Sequence, residues 1–386
     1  MVYIDGVSYM LNIAAILVIM QLFILPIRLG EYEESIDYCI RHVFKSERVI
    51  YLFTMFITHL FSSFLLFGTI PVMLSLLASP LKSTVSNYQK FTVTAISRGY
   101  ALVVMWTPGG VNMLLALTAT GAQWSDVFLP SLTISLMGLS ISYLMQRGQL
   151  SNRLQSDVDE EKIKEAGAGR KAAKKILVIF FIVVALVILI FFFGTLQIGD
   201  NTSRIMLAGL ILSLCWLATF FRRPDLKVVF KEYLTQWLPK TVDLAVLYIG
   251  MGVFSKALDA SGLLNELYPY IGTGVTYFGL FALPIISFFV FLLSMLGLHP
   301  FVIIIILGNI IMSLQLPFLT PAMVAVALAF GSTASYMLSP FAGIVLTTAK
   351  YLDTTPYQVG IWNSSFVLRH FIAGSIFIML WSIWLA

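Results

Sequence analysis

The sequence predicts an all-α polytopic membrane protein built from two inverted repeats, each with a re-entrant helical hairpin and a broken transmembrane helix. Three observations lead there. Of 386 residues, 59% are hydrophobic and 11% charged, with a mean hydropathy of +0.91, whereas a soluble domain carries about 25% charged residues. Several apolar runs are long enough to cross a hydrocarbon core of roughly 30 Å. Finally, Gly/Pro-containing breaks recur at matching places in the two halves of the chain.

Orientation comes from the basic residues. Arg28, Arg41, Lys45 and Arg48, then Lys82, Lys90 and Arg98, then the run from Arg147 to Lys175, then Arg222 to Lys240, and finally Lys350 and Arg369 mark the cytoplasmic side, because Lys/Arg-rich loops stay inside. Loops 121–126, 197–202 and 262–270 are poor in Lys and Arg and fall outside. The net charge of +5 belongs to these loops, so no nucleic-acid partner is expected. The N-terminal stretch lacks a basic n-region and a small-residue cleavage site before Arg28, and reads as a retained first helix with its N-terminus outside. Cys39 and Cys215 fit no metal spacing and suggest no disulfide framework.

The elements follow in order. Repeat 1 (1–146) reads as helix 7–29, hairpin 49–78 with its tip at Gly68-Thr69-Ile70-Pro71, broken helix 97–120 interrupted at Thr107-Pro108-Gly109-Gly110, and helix 127–146. A middle region (147–239) holds the basic loop and two unbroken helices, 176–195 and 204–221. Repeat 2 (240–386) reads as helix 241–261, hairpin 271–314 with its tip at Gly297-Leu298-His299-Pro300, broken helix 320–352 interrupted at Ser339-Pro340-Phe341-Ala342-Gly343, and helix 366–386, whose C-terminus lies outside. Thr107-Pro108 and Ser339-Pro340 stand 232 positions apart, as do Val127 and Val359; Pro71 and Pro300 stand 229 apart. An odd number of crossings separates equivalent elements, so the repeats are inverted. Broken helices at matching positions of inverted repeats point to a binding site at the bilayer midplane.

Proline inside lipid leaves backbone groups unsatisfied unless the break is buried or lines a cavity. Thr107 and Ser339 are good N-cap residues, and a proline directly after a cap suits the first helical position, so each Ser/Thr-Pro pair is expected to restart a helix. Two half-helix N-termini would then face the centre and attract an anion. The candidate substrate-binding residues are Thr107, Pro108, Gly109, Gly110, Asn112, Ser339, Pro340, Ala342 and Gly343, with Thr69 and His299 at the hairpin tips. Ser332, Thr333 and Ser335 are candidates for ligating a sodium ion, the only cofactor expected. His59, like His299, serves proton coupling or substrate contact, or only bonds a neighbouring carbonyl, and Asn112 and Asn309 serve as substrate ligands or interhelical hydrogen-bonders. No HExxH, GxSxG or Asp-rich pair is present, which disfavours the rival reading, a membrane-embedded enzyme acting on a lipid-linked substrate.

Two such halves resemble the ion transporter superfamily of secondary carriers, which includes divalent anion:sodium symporters, citrate permeases, arsenite permeases and the large membrane subunits of tripartite periplasmic carriers. The segment LYIGMGVFSKALDASGLLNEL, 247–267, is similar to the helix and SGL exit that often precede the second hairpin there. The resemblance covers about 7–146 and 240–386. It departs at the tips and breaks, where the dicarboxylate symporters carry Ser-Asn-Thr motifs. It implies a plasma-membrane (inner-membrane) carrier, often a homodimer amid membrane lipid, that moves a small carboxylate or oxyanion by alternating access, driven by sodium or protons. In a multi-component carrier, a solute-binding protein would be the partner.

Overall fold

A computed structural model describes residues 7, 11, 15–16, 18–65, 69–151, 168–239, 246, 249–250, 252–254, 256–257 and 260–385. Most of the expected helix 241–261, the tip residue Gly68 and the stretch 152–167 lie outside the described residues. The described chain is helical and contains no strand. Six of its helical segments are long and apolar enough to cross a membrane: Trp124–Arg147, Gly169–Thr195, Asn201–Ala218, Pro269–Met295, Pro321–Tyr351 and Pro356–Leu385.

After the short helices α1 (Ile24–Leu29) and α2 (Tyr32–Tyr38), a hairpin is formed by α3 (Glu47–Leu65) and α4 (Thr69–Thr84). The first broken helix is α5 (Tyr88–Val103) plus α6 (Val111–Thr120), and α7 (Trp124–Arg147) follows. Helices α8 (Ala168–Thr195), α9 (Asn201–Ala218) and the short α10 (Leu226–Glu232) make the middle region. The apolar block 271–314 resolves into the end of α11 (Leu263–Phe278), a 3-10 turn, and a hairpin of α12 (Ala282–Met295) and α13 (Pro300–Ser313). The second broken helix is α14 (Pro321–Leu338) plus α15 (Gly343–Tyr351), and α16 (Pro356–Leu385) ends the described chain.

The same order of elements thus occurs twice, and so do the contacts. Helix α3 packs on α5 as α12 packs on α14, and α5 packs on α7 as α14 packs on α16. Across the halves, α13 packs on α6 and α4 on α15. Glycines allow the tightest of these approaches: a Cβ on Gly99 of α5 would stand 2.5 Å from the Met55 carbonyl oxygen, and one on Gly331 of α14 would stand 2.2 Å from that of Ser287. Helix α14 is the central post, since 94% of its most apolar window is buried, whereas the corresponding windows of the other five spans are 28–39% buried. Those five leave much of their apolar surface exposed.

Two expected boundaries move. Helix α5 begins at Tyr88, not at 97, because the Asn87 side chain accepts the Lys90 N–H and caps the first turn. Arg98 is therefore not a loop residue but lies buried within a helix. Helix α16 begins at Pro356, not at 366, with Thr355 Oγ1 accepting the Gln358 N–H.

Candidate functional site

The breaks have one construction. Gly110 N–H donates to the Thr107 carbonyl (2.9 Å) and Ala342 N–H to the Ser339 carbonyl (3.0 Å), so each is a four-residue turn with proline second, where its fixed φ fits. This corrects the expectation that Thr107 and Ser339 are N-caps. Ser339 is the C-cap of α14, the N-caps of the restarting helices are Gly110 and Ala342, and neither has a side-chain cap bond. The proline that follows a cap occurs elsewhere: His299-Pro300 starts α13, where His299 Nδ1 accepts the Phe301 N–H (3.3 Å), and Thr320-Pro321 starts α14, where Thr320 Oγ1 accepts the Met323 N–H (3.3 Å). The physical reason is that a Ser/Thr-Pro pair suits both a turn and a cap, and the three residues that follow decide between them.

The Ser339 hydroxyl accepts the Phe341 N–H within its turn (3.4 Å), and both hydroxyls also tie each break to its own hairpin. Thr107 donates to the Ser63 carbonyl near the end of α3 (3.1 Å), and Ser339 donates to the Ser294 carbonyl near the end of α12 (3.0 Å). The second tip also meets its break through Gly297, which has φ +97° and lies against the Phe341 ring. The first break is buried throughout, Thr107, Pro108, Gly109 and Gly110 alike, whereas Phe341 and Gly343 of the second are exposed and Pro340 and Ala342 half-buried. Gly110 fits because a Cβ there would stand 2.6 Å from the Val104 carbonyl oxygen.

The halves join at their breaks. Tyr336, one turn before the second break, donates its hydroxyl to Asn112 Oδ1 (2.8 Å), one turn after the first. Tyr100 stands edge-on to Tyr336 at 5.9 Å. Asn112 is buried and its Nδ2 has no hydrogen-bond partner, and the same holds for the buried hydroxyls of Thr69, at the start of α4, and Thr348, on α15. Unpaired buried donors and acceptors are uncommon in native folds, and here they flank the breaks. Tyr336→Phe strands the Asn112 amide entirely, and a cost of about 1–3 kcal/mol is expected, read as a lower unfolding midpoint than that of Tyr100→Phe, whose hydroxyl makes no such bond.

The candidates for ion coupling are turned to local bonds. Ser332, Thr333 and Ser335, all buried, donate to the carbonyls of Ala329, Phe330 and Gly331 of their own helix. His59 is held at both nitrogens: Trp106 Nε1–H donates to Nε2 (3.0 Å), so Nδ1–H donates to the Gly99 carbonyl (2.9 Å). It latches α3 to α5. His299 is exposed at the second tip, away from Asn112's buried surroundings. Among the described residues, no group of three or more His, Cys, Asp or Glu could hold a metal ion.

Sequence reading missed Arg98. Only 1% exposed, it donates from Nε to Asn363 Oδ1 (3.0 Å), from Nη1 to Tyr51 and Ser142 hydroxyls (3.3 Å each) and from Nη2 to the Trp362 carbonyl (3.0 Å), with Phe366 beneath it at 4.6 Å. Among the described residues no carboxylate pairs with it. The available signal was its setting, since seven residues separate it from Lys90 and apolar residues follow it.

A cavity of about 800 Å³ lies between α1–α2 and the first hairpin, reaching from Leu65 and Val72 to Ser79. Its wall carries Glu31, Glu33, Glu34 and Asp37 against Arg28. Arg28 also pairs with Glu232, and Glu31 with Arg223.

No protein-family model matches the chain, and no curated protein matches its sequence. Solved structures do match in shape. The YdaH transporter of Alcanivorax borkumensis superposes with a TM-score of 0.64 at 13% identity, over 98% of this chain and 86% of that one. MtrF of Neisseria gonorrhoeae, described as illuminating a class of antimetabolite efflux pumps, superposes with a TM-score of 0.59 at 11% identity, over 98% of this chain and 83% of that one. At these identities the likeness is one of fold.

Proposed function

We propose that this chain is a secondary active carrier that moves a small anion, an organic carboxylate or an oxyanion, across the plasma membrane by alternating access, coupled to a sodium or proton gradient. The observation that carries the reading is the bond from Tyr336 to Asn112, which links the helices beside two breaks of the same turn type. Such breaks are how carriers expose backbone groups to a substrate at midplane. Its agreement in fold with two solved transporters supports it. In this reading Asn112, Thr107, Gly109, Gly110, Ser339 and Gly343 line the substrate's place, the first-turn N–H groups of α6 and α15 favour negative charge, and Arg98 supplies a buried positive charge nearby in sequence to Tyr100. The two repeats are inverted, and the protein works as a homodimer of the ion-transporter type. It performs no covalent chemistry.

One observation favours a second reading. Of the four carboxylates around the 800 Å³ cavity, Glu31 and Asp37 pair with Arg223 and Arg41, and the remaining two, Glu33 and Glu34, disfavour the approach of an anion from that side and suit a cationic or zwitterionic substrate. The two readings separate in a thermal-shift panel of mono-, di- and tricarboxylates, oxyanions, amines and amino acids on the purified protein, each in sodium and in choline buffer. A ligand held only by the native state raises the unfolding midpoint by mass action. The expected result is a shift with one anion that is lost in Asn112→Ala and Thr107→Ala; a shift with amines alone selects the second reading, and a panel without any shift refutes both.

A further inference from the structure

The last helices of the two repeats, α7 and α16, run antiparallel through the protein. Ser142 and Asn363 meet at Arg98, and about one turn further along α7 a Cβ on Gly138 would stand 2.9 Å from His370 Cε1. The buried face of α7 carries Ser131, Ser135, Gly138 and Ser142, and that of α16 carries Asn363, His370, Gly374 and Ser382. Two helices long enough to cross a membrane therefore meet at polar residues around Arg98 and His370, and each carries further buried polar groups.

Half of this seam is satisfied. Ser142 and Asn363 bond Arg98, and Asn363 also donates to Ser97. The hydroxyls of Ser131, Ser135 and Ser382 and both ring nitrogens of His370 have no hydrogen-bond partner in the protein, although each is buried. A neutral imidazole needs one donor bond and one acceptor bond, and buried polar groups obtain from ordered water what the protein does not provide. His59 marks the contrast, because there the protein provides both bonds. The neighbours of His370 are rings that cannot satisfy it, Phe366 stacked at 5.5 Å and Phe330 edge-on at 5.4 Å.

We propose that His370 is a proton-binding site inside the membrane, served by water along the α7–α16 seam. For the purpose the proton serves, the proposal rests on the carrier reading and names the proton as the coupled ion. Of the elements packed on α16, helix α5 presents Arg98, whose guanidinium carbon lies over the same Phe366 ring that His370 stacks on. Helix α7 presents Ser135 and Gly138, and α14 presents Phe330; Tyr336 of α14 is turned to Asn112. The charged residue of α15, Lys350, and those of α7, Asp126 and Arg147, are exposed, and α12 has none. Arg98 is thus the charged group that shares the Phe366 ring with His370; as a cation it opposes a second positive charge there, so the proton taken up has to be held by water.

The test is a titration of the full chain in lipid nanodiscs with ¹⁵N-labelled histidine, from about pH 8 to about pH 4.5, a span that brackets the ordinary histidine range. Of the four histidines, His42, His59, His299 and His370, the last is assigned by its loss in His370→Asn. Should that variant not fold, single His42→Asn, His59→Asn and His299→Asn variants identify it by elimination. The expected result is a reversible move of the His370 signal from the neutral to the imidazolium position while the protein stays folded, with ring N–H exchange into D₂O complete within minutes. A His370 signal that stays neutral until the protein unfolds, or ring protons protected for hours, overturns the proposal. No substrate enters the titration, so its failure leaves the carrier reading intact, and failure of the ligand panel leaves the titration readable.

Discussion

Arg98→Ala lowers the unfolding free energy by about 3–5 kcal/mol, while Arg98→Met loses less than half of that. The alanine variant combines two losses. One is a void left by a large, fully buried side chain, and voids of that class cost about 3–5 kcal/mol. The other is the removal of charge-assisted bonds to Asn363 and the Trp362 carbonyl, which join α5 to α16. Methionine fills most of the volume and spares the core an arginine with no carboxylate beside it, a charge that is costly to bury. Two of the acceptors left behind retain a partner, since the Tyr51 and Ser142 hydroxyls bond each other at 3.0 Å, whereas Asn363 Oδ1 loses the arginine's N–H and accounts for the residual loss. If the stability of Arg98→Met nearly equals that of the native protein and transport is lost, the arginine is kept for its charge. Equal losses in both variants would show that the bonds, not the packing, dominate, and unchanged stability in Arg98→Ala would sink the account.

Gly331→Val unfolds or severely destabilises the protein, whereas Gly343→Ala leaves its stability within about 0.5 kcal/mol, as for a surface change. The pair isolates packing from glycine's conformational freedom. At Gly331 a Cβ would meet three backbone atoms of Ser287 at 2.2–2.9 Å, and backbone cannot rotate away, so α12 and α14 must part. Overpacking of a core by even a methylene or two costs about 1–3 kcal/mol, and here the displaced unit is a hairpin helix that also carries the Ser287 hydroxyl bond to the Ala327 carbonyl (2.7 Å). At Gly343 nothing lies within 4 Å. Thermal unfolding in detergent with and without each substitution checks both statements, and a fully stable Gly331→Val would mean that the two helices are not in contact there.

Much of the fold was legible because lipid imposes simple rules. Long apolar runs must be helices, since no other open structure satisfies its backbone in hydrocarbon, and Gly/Pro pairs must interrupt them. The 232-residue offset between Thr107-Pro108 and Ser339-Pro340 marks both breaks in the sequence, and both are four-residue turns of equal length. The local role of the Ser/Thr-Pro pairs was not legible, because the same dipeptide serves as a cap or as the start of a turn. It caps at Thr320-Pro321 and turns at Ser339-Pro340.

By itself, the sequence determined the helical class, the apolar spans and the positions of the breaks, because these depend on composition and on chemistry local to a few residues. Only the tertiary structure decided which polar side chains meet. Tyr336 reaches Asn112 across 224 residues, and Arg98 reaches Asn363 across 265. Nothing in a helix's own periodicity says which neighbour its buried polar face will find, so Arg98 reads as a loop charge in the sequence, and its place and that of His370 are set only by the packing of α5, α7 and α16.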